Sequence, residues 1–580
     1  NAAAERVLRG LPTIWRRLLE ALAVADDATH LPVLARMCGW TQGELSVAIA
    51  GLCERGVIRR TPGTPPTLKW RHPILPKLLR ERMNPARRAL YASRLAAAET
   101  SEPHSRGRVG ALVATGRVQE AAVEANALSS ELLTQHRIRS VLEMAEPVID
   151  RLRAIDRAPE CAELLLQYAR CLRTVAPTDP SNKRTLNQAR QLAQLLDDPV
   201  MVVRTDLEQA RLYKVIGHYG VYRKYLDQAF EGLPDPDDEP GLAAQIAMEF
   251  ATSHRLQGYL EKADHWAGIA VGHAETSGDV RSMGEAILES ATCAFGQGQV
   301  HEAEEAFSLA MEHFDRAGDA CGLWRSVARW AHTLRLQGRY SEALAQLYKR
   351  LPAASQCQDS VPYVELLQAT GWVELDLSRL GRAQECVDEL AATLHRGAHL
   401  HLRLQNNLLT GRILLASGEP QTATYVLQEV HRSARNAHLA VLAEHARSVL
   451  AEALFAVGDF ETSASYFQSA ILGLLGTGDL TILAEGVRAR ARTHATREDP
   501  SEIFRHVEAL LGEQPMVLLQ LENLLAKGAW YRSRQDPARS EQAFREAAMV
   551  LNRMATNLSD TDRAALRVHP WSSWIRQGRR

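Results

Sequence analysis

The sequence predicts an all-α chain, a long α-solenoid of stacked helix pairs with a small helical domain and β-hairpin at its N-terminal end. Three observations carry this expectation. Glycines recur at 217, 258, 298, 338, 381, 418 and 458, in steps of 41, 40, 40, 43, 37 and 40 residues, and so steady a period marks a repeat architecture. Around them other residues keep fixed offsets: within Ala291–Met311, Gly298 is followed by Ala303, Phe307 and Ala310. Ala and Leu dominate and aromatics make up 6%, a composition suited to helices packed closely on helices.

Each offset has a physical reason. The Gly ends the first helix of a pair, where the chain turns through left-handed backbone. The Ala five residues on lets the second helix approach, and the Phe four residues beyond it fills the same face. Gly258 leads to Ala263 and Ala270, Gly338 to Ala343, Gly418 to Ala423, and Gly458 to Phe467 and Ala470. Gln535 stands in the Gly place before Phe544 and Ala547. A small residue precedes the Gly by seven positions as Ala251, Ala291, Ala331, Gly411 and Ala451. This pattern resembles the tetratricopeptide (TPR) repeat. The resemblance implies a right-handed TPR-like α-solenoid superhelix, and the forty-residue period implies helices about a turn longer than in the prototype, as in the maltose-regulator (MalT-like) branch.

The first eighty-five residues carry a different pattern. Glu5–Val24 is expected to form one amphipathic helix, with Leu8, Leu11, Ile14, Trp15, Leu18, Leu19 and Leu22 at helical spacing. His30–Cys38 forms a second, and Thr41 caps a third over Gln42–Arg55. Strands Val57–Arg60 and Leu68–His72 flank the Pro/Gly turn Thr61–Pro66. Three helices and a hairpin make a small N-terminal winged-helix domain, residues 1–85. A winged helix that reads DNA needs Lys or Arg on its third helix. Here Glu44 and Glu54 stand against Arg55, and the net charge of the whole chain is −1, so DNA binding by this chain is not expected.

From Leu68 to Glu99 the chain resembles the winged helix that follows the nucleotide-binding domain in STAND-type signalling ATPases. The carriers are Trp70, Arg71 and His72 at the strand end, then Arg87, Arg88 and Tyr91 on the following helix. The resemblance implies that His72, beside Arg71, senses the β-phosphate of a nucleotide; an imidazole can donate to a phosphate oxygen. Pro73 departs from the family's small apolar residue, and Pro76 falls in the first turn of the next helix. Neither GxxxxGK[ST] nor GxGxxG after a strand occurs. No cofactor is therefore expected in this chain, and ATP or ADP would be held by a domain upstream of Asn1. A start at Asn1 suggests a fragment, and similar tails occur on bacterial Ser/Thr kinases.

Residues 86–200 hold linker helices and degenerate repeats: the polar linker Thr100–Arg108, a first repeat over Val109–Leu128 (Gly116, Ala121, Ala125), and helices ended at Pro177, Pro180 and Pro199. Residues 201–558 carry the TPR-like repeats. They include the exposed acidic insertion Leu233–Pro240, a hairpin over Ala484–Leu510 broken at Thr496–Pro500, and a last repeat at Glu513–Met554. Residues 559–580 form a capping helix that covers the last apolar face with Trp571, Trp574 and Ile575.

In TPR arrays positions 2, 5, 9, 12 and 13 face the concave groove, counting the Gly as 15. That scheme gives Gln245, Glu285, Arg325, Gln368, Gln405 and His445 at the second position, and Arg255, His332, Arg335, Arg379 and Arg412 at others. Only Glu285 and Glu452 oppose them. Gln245, Arg255, Arg325, His332, Arg335 and Arg412 thus form a candidate groove for an acidic peptide or protein, a C-terminal carboxylate, or a phosphorylated small-molecule inducer. The same residues equally suit solvated polar positions on a helix face.

Catalysis fits poorly. No HExxH or nucleophile elbow occurs, and Ser and Cys fall on regular helices, so no catalytic or metal-binding residue is expected. The eight Cys form no CxxC and suit buried thiols of a reducing, cytoplasmic setting. No apolar run approaches a membrane span and no signal peptide opens the chain. The expected function is the sensor and protein-interaction region of a STAND-type regulator, coupled to an ATPase switch outside this chain and able to oligomerise on activation. The alternative is a plain TPR scaffold without a switch.

Overall fold

The computed structural model describes residues 10–25, 29–61, 67–72, 74–97, 105–134, 137–152, 159–394, 398–494, 501–511, 516–556 and 558–578. The chain divides into two compact units, Asn1–Thr205 and Asp206–Arg580.

The first unit opens with α1 (Thr13–Ala25), β1 (Thr29–His30), α2 (Leu31–Cys38) and α3 (Gln42–Glu54). Residues 5–9 of the expected first helix lie outside the described residues. The start of α3 is fixed by a capping box. The Glu44 N–H donates to Thr41 Oγ1 at 3.4 Å and the Thr41 N–H to the Glu44 carboxylate at 2.8 Å. β2 (Ile58–Thr61) pairs antiparallel with β3 (Thr67–Trp70), Ile58 opposite Trp70. β1 pairs with the other edge of β3. β1 was not expected, because two residues are too few to show an alternating pattern. The expected turn beyond Thr61 and Pro73 both lie outside the described residues.

α4 (Ile74–Arg82) and α5 (Pro85–Ala96) follow. Here Arg87 and Tyr91 act as pins. Arg87 donates to the buried Glu20 carboxylate at 2.9 Å, and the buried Tyr91 hydroxyl donates to the Arg17 carbonyl at 3.4 Å, so both tie α5 to α1. α6 (Arg106–Ala114) and α7 (Val118–Thr134) meet at Gly116, with Ala121 and Ala125 fully buried between helices. α8 (Ile138–Leu152), α9 (Pro159–Val175), α10 (Pro180–Leu195) and α11 (Pro199–Val215) complete the series. Three of these begin on Pro, whose missing N–H has no helical acceptor to lose at that position.

The second unit continues with α12 (Tyr219–Glu231), α13 (Pro240–Leu256), α14 (Leu260–Ser277), α15 (Val280–Gly296), α16 (Val300–Arg316) and α17 (Ala320–Leu336). Then come α18 (Tyr340–Ala354), α19 (Val361–Asp376), α20 (Leu380–Thr393), α21 (Leu400–Ala416), α22 (Pro420–Asn436) and α23 (Ala440–Val457). The rest are α24 (Phe460–Leu475), α25 (Leu480–His494), α26 (Ser501–Leu511), α27 (Val517–Ser533), α28 (Pro537–Thr556), α29 (Asp560–Val568) and α30 (Pro570–Gly578). Among the described residues of this unit there is no strand, and none of the described helices is long and apolar enough to cross a membrane. It is a solenoid of helix pairs.

The repeat is more regular than the glycines alone suggest. The left-handed residue between α19 and α20 is Ser378, with φ +56°, while Gly381 lies inside α20. Ser378 stands forty residues after Gly338 and forty before Gly418, so the apparent steps of 43 and 37 vanish. From Ser378 the other offsets also fall into place: Gly371 seven residues before, Ala383 five after, and Ala383 fully buried. Where Ser463 and Ser540 replace the Ala of the second helix, each hydroxyl donates across to the small residue of the first helix, Ala451 at 2.7 Å and Gly528 at 2.9 Å.

The odd-numbered helices from α13 to α27 pack on one another in succession, and α13 also meets α23, α15 meets α25 and α17 meets α27. The solenoid has therefore wound back on itself between four and five repeats on. Thr481 donates to the Phe295 carbonyl at 2.7 Å across 186 residues of sequence. The left-handed Gly217, Gly258, Gly298 and Gly338 sit at this seam. A Cβ on Gly258 would stand 2.7 Å from Thr477, and one on Gly338 2.8 Å from Met554.

At the C-terminal end the expected single capping helix is two, α29 and α30, because Pro570 cannot continue the first and starts the second. Trp571 and Ile575 are buried as expected, but Trp574 is 42% exposed.

Gly258→Ala and Gly418→Ala separate two demands on the repeat turn. Both glycines have φ +82°, but nothing lies within 4 Å of a Cβ at Gly418. The Gly418 change should cost about 1–2 kcal/mol of unfolding free energy from backbone strain alone. Gly258→Ala should add roughly 1–3 kcal/mol for the clash with Thr477. Equal losses in urea unfolding would refute the close approach at the seam.

Candidate functional site

The inner face of the second unit is built by its odd-numbered helices, and all six expected groove residues lie on them. Gln245 and Arg255 are on α13, Arg325, His332 and Arg335 on α17, and Arg412 on α21. None of the six is fully exposed.

These residues do not form a free cationic surface. Arg255 Nε donates to Glu289 at 2.7 Å, and Arg329 Nη1 reaches the other oxygen of Glu289 at 3.3 Å and Thr292 at 2.8 Å. Arg325 and Arg329 both approach Glu365, at 3.7 and 3.9 Å. Arg412 donates to Glu452 at 2.8 Å, and Arg488 meets Glu522 at 2.5 Å. At one end, Arg211 binds Glu249 at 3.1 Å and the side-chain oxygen of Gln245 at 3.2 Å, with Lys214 on the same Glu249. Most of these pairs join an arginine to a carboxylate one repeat further on.

Of the arginines that lie in the groove, Arg335 makes the longest reach. Its Nε donates to Asp376 at 2.7 Å and its Nη2 to Glu485 at 3.2 Å, 150 residues away. The guanidinium lies 5.0 Å over the Trp372 ring, Trp372 stacks on His445, and His445 stands 3.3 Å from Glu485. This node joins α17, α19, α23 and α25, and so two passes of the solenoid.

The protonation states follow from burial and these partners. Burial alone would raise Glu249 and Glu289. Lys214 and Arg211 outweigh it at the first, Arg255 and Arg329 at the second, and both come down to about 2. Burial would also raise Glu485, yet the His445 hydrogen bond and Arg335 hold it well below the carboxylate range. Asp376 is the exception: burial, helped by Glu522 and Glu485, outweighs Arg335 and raises it. His332 falls to about 3, from burial first and then Arg335, and half-buried His401 also falls to about 3, from desolvation first and then Arg255.

The expectation that only Glu285 and Glu452 oppose the arginines is thus corrected, for two reasons. Counting from Gly381 shifted one repeat by three residues; counted from Ser378, the groove positions become Glu365, Trp372 and Asp376. The scheme also omitted the residue four after position 2, which a helix of 3.6 residues per turn places on the same face. That residue is Glu249, Glu289 and Arg329 in successive repeats. Arg379 leaves the groove altogether and pairs with Glu374 at 3.3 Å and Asp562 at 2.5 Å.

In the first unit, His72 and Arg71 follow β3 and are exposed. Arg71 lies over Gly56, 3.8 Å from where a Cβ would sit. Arg59 stands directly opposite Lys69 in the hairpin and both are exposed. Among the described residues no carboxylate pairs with Arg59, Lys69, Arg71 or His72. The sequence did carry a signal for this: from Gly56 to Arg94 there are ten Lys or Arg and one acidic residue, Glu81. A net charge taken over the whole chain hid it.

No protein-family model and no curated protein sequence matches this chain. Among solved structures, one similar to it is a Rap protein complexed with competence and sporulation factor, at 12% identity over 76% of this chain and 100% of that one, TM-score 0.34. A STAND protein with a tetratricopeptide repeat sensor from Pyrococcus horikoshii gives 14% identity over 81% and 64%, TM-score 0.36. The APC/C hetero-tetramer Cut9–Hcn1 gives 12% over 85% and 93%, TM-score 0.46.

The depressed histidines make a pH prediction. Unfolded, His332 and His401 take up protons below their ordinary value of 6.5; folded, they wait until about 3. Their share of stability is present above pH 6.5 and is lost as pH falls. Glu249 and Glu289 add a second loss between about 4.5 and 2 by the same linkage. The urea midpoint should fall steadily from pH 6.5 to 4, and His332→Gln should flatten that slope. A midpoint constant over this window would show that the histidines are not held neutral.

Proposed function

We propose that this chain is the sensor and protein-interaction region of a STAND-type signal-transduction regulator of the MalT-like kind. In this reading the N-terminal three helices and hairpin are a winged helix. The solenoid is a right-handed TPR-like superhelix that takes an inducer, a peptide or a partner protein in its groove. It couples that event to an ATPase switch outside these residues, and no catalytic role falls to the chain itself.

The observation that carries the proposal is the Arg335 node. One guanidinium holds Asp376 of the next repeat and Glu485 of the returning pass. A ligand carboxylate or phosphate that competes for Arg335, entering by the more exposed Arg325, would leave Glu485 buried without that partner. Removing one partner of a buried ion pair costs about 3–5 kcal/mol. Swinging a two-state equilibrium from 1:99 to 99:1 takes about 5.5 kcal/mol, so this exchange is of the size needed to favour an opened, assembling form. In the first unit, exposed His72 with Arg71, Arg59 and Lys69, none paired with a carboxylate among the described residues, offers a surface suited to a nucleotide phosphate.

The test joins the chain to a nucleotide-binding domain on one polypeptide and follows release of labelled ADP. His72→Ala should speed release by roughly tenfold, equivalent to about 1.4 kcal/mol. Arg335→Ala should raise release without inducer and blunt the response to it. Exchange that ignores both substitutions would exclude the switch and leave the plain TPR scaffold.

A further inference from the structure

The connection from α18 to α19 is longer than its neighbours. Ser355–Ser360 spans six residues, where α14–α15 and α16–α17 are joined by two or three. Pro352 lies in the last turn of α18, and the six residues fold back toward the start of α17. That path sets Cys357 Sγ 3.5 Å from Cys321 Sγ, two thiols from successive repeats that are in no disulfide. Cys321 is the second residue of α17 and 8% exposed; Cys357 is half-buried and within reach of small solutes.

The two thiols differ chemically. Burial pushes Cys38, Cys171 and Cys386 up to about 12, as expected of inert core thiols. Cys357 moves the other way. Either sulfur can donate across the contact; with the Cys321 S–H as donor the bond outweighs burial at Cys357, and backbone N–H groups of Asp359 and Gln358 add to the effect. The same contact keeps Cys321 protonated. The more accessible Cys357 is placed to act as the nucleophile, with buried Cys321 3.5 Å away as the resolving partner.

We propose that Cys321 and Cys357 form a redox modification site that a peroxide converts to a disulfide. The Cys357 thiolate attacks one oxygen of hydrogen peroxide, the O–O bond breaks, hydroxide leaves and Cys357 becomes a sulfenic acid. The Cys321 sulfur then attacks the sulfenic sulfur, its proton goes to the departing hydroxyl, and water leaves as the S–S bond forms. Both thiols are oxidised by one electron pair in total, which the peroxide accepts. Closing the present gap to a bond needs an approach of only about 1.5 Å. The bond would lock the α17–α19 interface, one helical turn from Arg325 and its contact with Glu365, at the accessible part of the inner face.

The test treats the whole chain with a few equivalents of hydrogen peroxide, alkylates the remaining thiols and maps tryptic peptides by mass. A peptide pair linked through Cys321 and Cys357, lighter by two hydrogens and restored by a reductant, is expected before other cysteines react. Cys321→Ser should stop the reaction at the sulfenic acid of Cys357, trapped by dimedone. Over-oxidation of Cys357 without the link would overturn the proposal, as would a link to another cysteine or oxidation of Cys386 at the same rate. The wild-type peptide map decides the matter even where the variant folds poorly.

Discussion

Every forty residues one backbone position in the left-handed region ends an inner helix and turns the chain into its partner. φ is +82° at Gly258, +79° at Gly298, +73° at Gly338 and +56° at Ser378. Because the turn repeats at a fixed interval, each inner helix meets the next in the same way, and small residues such as Ala251, Ala291 and Ala331 let the pairs close tightly. The turn also has an outer duty, since at Gly258 and Gly338 it presses on a later repeat. A bulkier residue there would meet side-chain atoms as well as a strained φ. A single local constraint thereby sets both the pitch and the closure of the second unit.

The inner helices carry many charges that are buried or half-buried. Away from water an unpaired charge is costly, so each of these arginines is held by a carboxylate. The planar guanidinium suits this, because its separate N–H groups can serve two acceptors at once. Arg329 divides itself between Glu289 and Glu365, and Arg335 between Asp376 and Glu485. The result is a lattice that fixes the register of neighbouring repeats and ties distant ones together. Removing one guanidinium would expose the burial cost of its carboxylates.

The departures from regularity are equally informative. The six-residue connection after α18 serves no need of the repeat, yet it brings two thiols into contact. The hairpin of the first unit sets Arg59 opposite Lys69, a cross-strand pairing that is unfavourable without an anion nearby. Both features lie outside the offsets that hold the solenoid together. They are the parts of the chain that packing alone does not account for.

The sequence by itself determined the helix pairs, their forty-residue period, the small residues between them and the hairpin, because each of these depends on neighbours a few residues away. It erred where a local rule had a second solution. Ser378 adopts the backbone shape expected of glycine, and the nearby Gly381 drew the register off by three. That shift, with the neglected position of Glu249 and Glu289, concealed the carboxylates and made a paired lattice look like an open cationic groove. Contacts between Arg335 and Glu485, or between Gly338 and Met554, were decided by the tertiary structure alone. They form only when the winding has returned over a hundred and fifty residues or more, and no pattern within one repeat encodes which later side chain arrives there.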